Sequence, residues 1–231
     1  MPYVNVTDDA AVVFLGSPGV ELDEGNPENR FGLEWLDQVT GALDEAVAAD
    51  KPIVLTATGK FFTNGLDTDY VAAHYAELPA YLDRVHELYA TVLTLPAPTI
   101  AAINGHAFGA GAMLALCADH RIMRTGRGFW SLPEAALSMP FTRGMAALVR
   151  TRVPDAVATE AMLTSRRYGA EEAALVGIVD EAVPAEVLID RAAEVARARA
   201  GLVNPNQAVI KRGLRQPLLA DLNVPTPATL L

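Results

Sequence analysis

The sequence predicts an α/β fold with a mainly helical C-terminal part, and three observations carry that expectation. Short apolar runs such as "PIVLTAT" (52–58) and "TIAAING" (99–105) alternate with longer segments of helical periodicity up to about Ser131. From Phe141 onward the chain reads as mainly helical, interrupted once within "ATEAMLTSRRYGAEEAALVGIVDEAVP". No low-complexity linker divides the 231 residues, so one domain is expected, with an α/β core over 1–140 and a helical part over 141–231.

The elements follow in order. "YVNVTDD" and "AVVFLG" read as two short strands joined at Asp8-Asp9, a hairpin-like opening. Residues 17–30 are rich in Gly, Pro, Asp, Glu and Asn, the composition of a surface loop. Residues 31–49 place Leu33, Leu36, Val39, Leu43 and Val47 at helical spacing. The run at 52–58 reads as a buried strand that exits into "GKFFTNGLDTDY" (59–70), where Phe61 and Phe62 precede an Asn64-Gly65 turn. A helix over 78–95 is closed by Pro96 and Pro98. After the strand at 99–105, Gly109, Ala110 and Gly111 open a helix that is apolar nearly all round and therefore expected to be buried. "HRIMRT" and "GFWSL" read as two further short strands.

Hydrophobic residues at 51% and charged residues at 20% give an ordinary globular balance with a generous core. The net charge of −10, with Lys51, Lys60 and Lys211 as the only lysines, argues against nucleic acid or an anionic membrane as the main partner. It leaves room for a small anion held by local arginines and N–H groups. No apolar run approaches the roughly 20 residues that span a bilayer, and the start lacks the basic n-region of a signal peptide. The single cysteine, Cys117, lies in "AMLALCAD" and reads as a small core hydrophobe, so a reducing, cytoplasmic setting is expected. His74, His86, His106 and His120 show no ligand-like clustering, and no metal site is expected. Asp83 and His86 share what reads as a solvated helix face.

Chemistry is expected at two strand exits. Asn64-Gly65 stands before Leu66, and Gly109-Ala110-Gly111 opens a helix. Small residues let a ligand approach the backbone, and N–H groups at a helix start lack partners and carry partial positive charge. If the exits converge, the N–H groups of Leu66 and Ala110 point at one oxygen, the arrangement of an oxyanion hole. The plainer alternative is an Asn-Gly turn beside core aromatics, with glycines selected by tight helix packing. The residues alone leave both open.

In their order and spacing, "GKFFTNGLD", "PAPTIAAINGHAFGAGAMLALCADHRIM", "GFWSLPEAALSMP" and "GAEEAALVGIVDEAVP", laid out over 52–184, resemble the crotonase superfamily, the enoyl-CoA hydratase/isomerase family. The resemblance implies a crotonase-type spiral of ββα units with a helical C-terminal region, assembled as a homotrimer or dimer of trimers. It implies an acyl-CoA thioester substrate, with coenzyme A arriving as part of that substrate and no separate cofactor. Carried over, the oxyanion donors are the backbone N–H groups of Leu66 and Ala110. Asn64, Gly65, Asp67 and Gly109 then surround the bound thioester.

Two departures refine this. Hydratases of the family hold one water between two glutamates; here the first position is Met113 and the second is Glu134. Addition of water needs one group to hold the water and another to move its proton, and a thioether does neither well. A single carboxylate suffices to take a proton from C2 and return it at C4, which is the work of a Δ3,Δ2-enoyl-CoA isomerase. "ENRF" (28–31), "FFTNGLD" and "RGFWSLPE" are most similar to family isomerases of the plant peroxisomal type, although the chain does not end in a peroxisomal signal. Met113, Phe129, Trp130, Met139 and Phe141 are expected to wall the acyl tunnel, with plain core filling as the alternative. The alternative for Glu134 is a carboxylate favoured at a helix start after Pro133. The second departure is a segment after Val203 that supplies less helix than the family's, where such helices cover CoA and help trimerise. Other readings are another crotonase reaction (hydratase, thioester hydrolase or carbon–carbon lyase) and a catalytically idle acyl-CoA-binding subunit.

Overall fold

The chain begins as an antiparallel pair, β1 (Tyr3–Val6) and β2 (Ala11–Phe14), in register from Tyr3 opposite Phe14 to Val6 opposite Ala11. This computed structural model describes residues 1–20 and 28–230. Helix α1 (Leu33–Ala48) leads to β3 (Ile53–Thr56), β4 (Phe61–Thr63), and helices α2 (Thr68–Ala73) and α3 (Leu78–Thr94). Then come β5 (Thr99–Ile103), β6 (His106–Phe108), α4 (Ala110–Cys117), β7 (His120–Arg124) and β8 (Trp130–Ser131), followed by a 3-10 turn at Pro133–Ala135. The remainder holds α5 (Arg143–Arg152), α6 (Asp155–Thr164), β9 (Arg167–Tyr168), α7 (Ala170–Leu175), β10 (Glu181–Val183), α8 (Leu188–Arg199), α9 (Pro205–Leu214) and α10 (Gln216–Leu222).

The strands form a six-stranded sheet, β1-β2-β3-β5-β7-β10, and a four-stranded sheet, β4-β6-β8-β9. From β2 to β10 the larger sheet is parallel. Strands β2, β3 and β5 are nearly continuous apolar runs because both faces are covered. Ala11, Val13, Ile53, Leu55, Ala101 and Ile103 face the main core. Val12, Val54, Ile100 and Ala102 face the other way, against Leu188, Ala192 and Val195 of α8. Each of β3, β5 and β7 hands the chain to the smaller sheet through β4, β6 and β8, so the backbone climbs as a spiral. This is the expected α/β spiral of ββα units. The strands "FFT" and "HAF" were concealed in the sequence, because three residues carry no legible alternation.

The helical part is docked by buried charges. Asp119 meets Lys211 at 2.5 Å and Arg215 at 2.8 Å, and Lys211 also donates to the Ala97 carbonyl at 2.7 Å. Beyond α10, the chain runs back along α3, where the Thr226 N–H donates to Asp83 Oδ1 at 2.9 Å. That packing corrects the reading of Asp83 and His86 as a solvated face. His86 is 3% exposed, its Nε2 lies 2.7 Å from Thr142 Oγ1, and burial pushes its pKa down. Helix α3 is enclosed by α9 and α10 as well as α1, so more than one of its faces is interior. Cys117 is buried, as expected. Among the described residues no helix is long and apolar enough to cross a membrane.

Candidate active site

The turn after β4 is fixed by hydrogen bonds from residues far away in sequence. Asn29 Nδ2 donates to the carbonyls of Phe61 (3.2 Å) and Phe62 (3.1 Å), and Thr63 Oγ1 donates to the Asn29 carbonyl (2.7 Å). The Asn64 N–H donates to the Glu28 carbonyl (2.9 Å), while its side-chain Nδ2 donates to Glu28 Oε2 (2.9 Å). On either side of Leu66 the N–H groups are occupied. Gly65 donates to Thr63 Oγ1 (3.1 Å), and Asp67 donates to the Tyr81 hydroxyl (3.0 Å), which itself donates to the Phe31 carbonyl (2.7 Å). The Leu66 N–H has no acceptor among the described residues.

The second exit repeats the pattern. Gly109 donates to the Ser131 carbonyl (3.0 Å), and its carbonyl accepts from Met113 (3.1 Å), closing the first turn of α4. The Ala110 carbonyl accepts from the Tyr89 hydroxyl (2.8 Å). The Ala110 N–H, the first of α4, has no acceptor among the described residues. The two exits meet. A β-carbon on Gly65, whose φ is +84°, would stand 3.0 Å from Ala110 N and 2.6 Å from the Phe108 carbonyl oxygen. One on Gly111 would stand 2.5 Å from the Thr63 carbonyl oxygen. Glycine at both positions is what lets the backbones touch.

Glu134 rises into this junction from the turn after β8. A β-carbon on Gly109 (φ +51°) would come within 3.2 Å of its Oε1. Its Oε2 is buried with no hydrogen-bond partner among the described residues. Desolvation of the carboxylate raises its pKa to about 7, against a smaller lowering by its own backbone N–H. Two cavities adjoin it. The outer, about 250 Å³, is lined by Asn64, Leu66, Ala110, Tyr75 and Leu137 among others. The inner, about 20 Å³, has Met113, Met145, Leu82 and Leu230 in its wall. Leu66, Ala110, Glu134 and Met139 border both, and Glu134 is the only carboxylate among the described residues that line them.

Of the residues singled out in the sequence, Glu134, Leu66, Ala110, Asn64, Gly65, Gly109, Met113 and Met139 are brought together here. Four others are not, and their expected place at the substrate is corrected. Trp130 is fully buried and donates from Nε1 to the Ala112 carbonyl (3.0 Å), so strand β8 turns it against α4. Phe129 is 39% exposed and lies beside the His106 ring, 5.7 Å between centroids. Neither lines either cavity at Glu134. Asp67 caps α2, accepting at Oδ1 from the N–H groups of Asp69 and Tyr70, and faces a separate open groove of about 560 Å³. Phe141 packs against the core rather than in either cavity. The sequence reading missed Tyr75, Leu137 and Leu230, which no local feature of the sequence sets apart from other apolar or aromatic residues.

The comparisons with known proteins agree with this geometry. Residues 19–220 match the family model for enoyl-CoA hydratase/isomerase. Enoyl-CoA delta isomerase 3 of Arabidopsis thaliana is 34% identical over 171 residues, covering 68% of this chain and 70% of the relative. A probable enoyl-CoA hydratase of Rhodobacter capsulatus is 34% identical over 209 residues, covering 88% of this chain and 80% of the relative. The crystal structure of a probable enoyl-CoA hydratase, EchA3, from Mycobacterium tuberculosis superposes with a TM-score of 0.85 at 26% identity, covering 97% of this chain and 92% of that one. With two glycine-lined strand exits meeting beneath one carboxylate and a family match across most of its length, the chain belongs to the enoyl-CoA hydratase/isomerase family.

Proposed function

We propose that this family member is a Δ3,Δ2-enoyl-CoA isomerase. The observation that carries the reading is Met113: it is fully buried and lines the inner cavity, where Glu134 is the only carboxylate among the described residues, and the family resemblance puts a hydratase's other glutamate at its position. The Glu134 carboxylate takes a proton from C2 of a 3-enoyl thioester. The electron pair left at C2 delocalises through C1 onto the thioester oxygen and through C3=C4 onto C4, giving a dienolate. The N–H groups of Leu66 and Ala110 donate to that oxygen, stabilising the charge where it develops. The protonated Glu134 then returns its proton at C4, leaving the double bond between C2 and C3. A pKa of about 7 suits a group that must accept and release the same proton near neutrality.

The reading assigns coenzyme A to the substrate and calls for no other cofactor. It takes over the homotrimer or dimer of trimers as the assembly, which sedimentation measures directly, and a cytoplasmic setting. The test of the activity is a pair of assays on one mixture with 3-hexenoyl-CoA. Absorbance at the conjugated enoyl-thioester band should rise with no release of free thiol. Thiol release without that rise assigns thioester hydrolysis instead, and no change in either signal rejects the isomerase.

A further inference from the structure

The two cavities at Glu134 differ in ways that assign them to different ends of the substrate. The outer one, although lined largely by apolar side chains, opens past the exposed side chains of Tyr75 and Leu137, and the long CoA arm needs such an exit to solvent. The inner one is walled by Met113, Met145, Leu78 and Leu82, none more than 5% exposed, and leads into the core. An apolar acyl tail belongs there. Yet its volume of about 20 Å³ admits roughly one water-sized group. Any substrate with carbons well beyond C4 must displace part of the wall.

Part of that wall stands outside helices and strands, at Met139, Pro140 and Leu230. Met113, Met145, Leu78 and Leu82 stand on helices α4, α5 and α3. Leu230 lies on a stretch, 223–230, with no helix or strand, and is only half-buried against the core. That stretch is tied down by the Thr226 N–H bond to Asp83 and by a local turn from the Leu230 N–H to the Pro227 carbonyl (3.1 Å).

We propose that Leu230 is the stop that sets acyl-chain length, restricting the site to short-chain acyl thioesters unless the 223–230 stretch is displaced. The inference rests on the acyl-CoA reading of the site; its test does not depend on isomerisation. Calorimetric titration of the whole chain with butyryl-, hexanoyl- and octanoyl-CoA, which are saturated and cannot isomerise, reads the tail alone. Wild-type affinity should gain little or nothing from hexanoyl to octanoyl. In Leu230→Ala the octanoyl-to-butyryl affinity ratio should rise about tenfold, since each newly buried methylene is worth roughly fourfold. Leu230→Phe should lower the ratio below wild type. A folded Leu230→Ala, judged by its melting curve, whose ratio stays within twofold of wild type overturns the proposal and sends the tail through the outer cavity. If Leu230→Ala does not fold, Asp83→Ala, which frees the Thr226 N–H, decides by the same criterion. Failure of isomerisation with the expected affinity pattern would reject only the reaction assigned above.

Discussion

Glu134 lies over Gly109, its Oε1 3.2 Å from where a β-carbon on that glycine would stand. A side chain at 109 would crowd that carboxylate and would be strained at a φ of +51°. The same placement buries Oε2 with no partner among the described residues, and an unpartnered anion away from water is costly. Position and basicity therefore share a cause: the turn after β8 holds the carboxylate away from water, and the desolvation outweighs the compensation from its own backbone N–H.

Glu134→Gln keeps the shape and removes the base. Turnover of 3-hexenoyl-CoA should fall by about 10²–10⁴-fold, the usual worth of a positioned general base, while binding of a saturated acyl-CoA changes little. A variant that keeps more than about a tenth of wild-type turnover would remove Glu134 from the proton transfer.

Acid should switch off the enzyme through the same group. The base form is lost below about pH 7, so kcat/KM should fall close to tenfold per pH unit beneath that point and level off above it. Stability should move oppositely. With the pKa raised from 4.5 to about 7 on folding, the native state binds the proton more tightly than the unfolded chain between those values, so this group's contribution falls as pH rises through the window. Glu134→Gln, neutral throughout, should gain on wild type in Tm between pH 5 and pH 8 by a few degrees, at about 2–4 °C per kcal/mol for a chain of this size. An equal Tm difference at both pH values contradicts the burial argument.

The readable and unreadable parts of this chain divide along physical lines. The larger sheet was legible because strands buried on both faces, such as "PIVLTAT", leave unbroken apolar runs. The junction of the exits was legible as glycines at 65, 109 and 111, although the contact that requires them, Gly65 against Ala110, joins residues 45 apart. Trp130 was misplaced because proximity to Glu134 in sequence says nothing of which side a two-residue strand presents. His86 was misplaced because helix periodicity assumes one buried face, and α3 is packed by α9 and α10 as well as by α1. Leu230 was invisible, since its meeting with Met113 depends on where residues 223–230 return over α3.

Met113 gives a test of reaction choice. Wild-type hydration of crotonyl-CoA should be slow beside isomerisation of a 3-enoyl thioester, for want of a second group to hold water. Met113→Glu should raise hydration only weakly. A second carboxylate in a wall that is fully buried, beside one already raised in pKa, is itself pushed toward the neutral acid. Equal wild-type rates for the two reactions would refute the choice of isomerase.

The oxyanion donors need a test of their own, because side-chain changes leave backbone N–H groups in place. Ala110 is the first residue of α4, a position where proline is well tolerated because its N–H would have no helical partner. The Ala110 N–H has no acceptor among the described residues, so proline removes a donor without breaking a bond of the fold. Gly109 before it, at φ +51°, has the conformational freedom that a residue preceding proline needs. Ala110→Pro is therefore expected to fold and to lose about 10²–10³-fold in turnover, the cost of one oxyanion donor. Ala110→Ser, which keeps the N–H and adds only an oxygen, should stay within about tenfold, or ~1.4 kcal/mol of barrier. Circular dichroism and melting curves on both variants separate lost chemistry from lost structure. A folded Ala110→Pro protein with near-normal turnover would mean that the thioester oxygen is held elsewhere, and the pairing of Leu66 with Ala110 would fall with it.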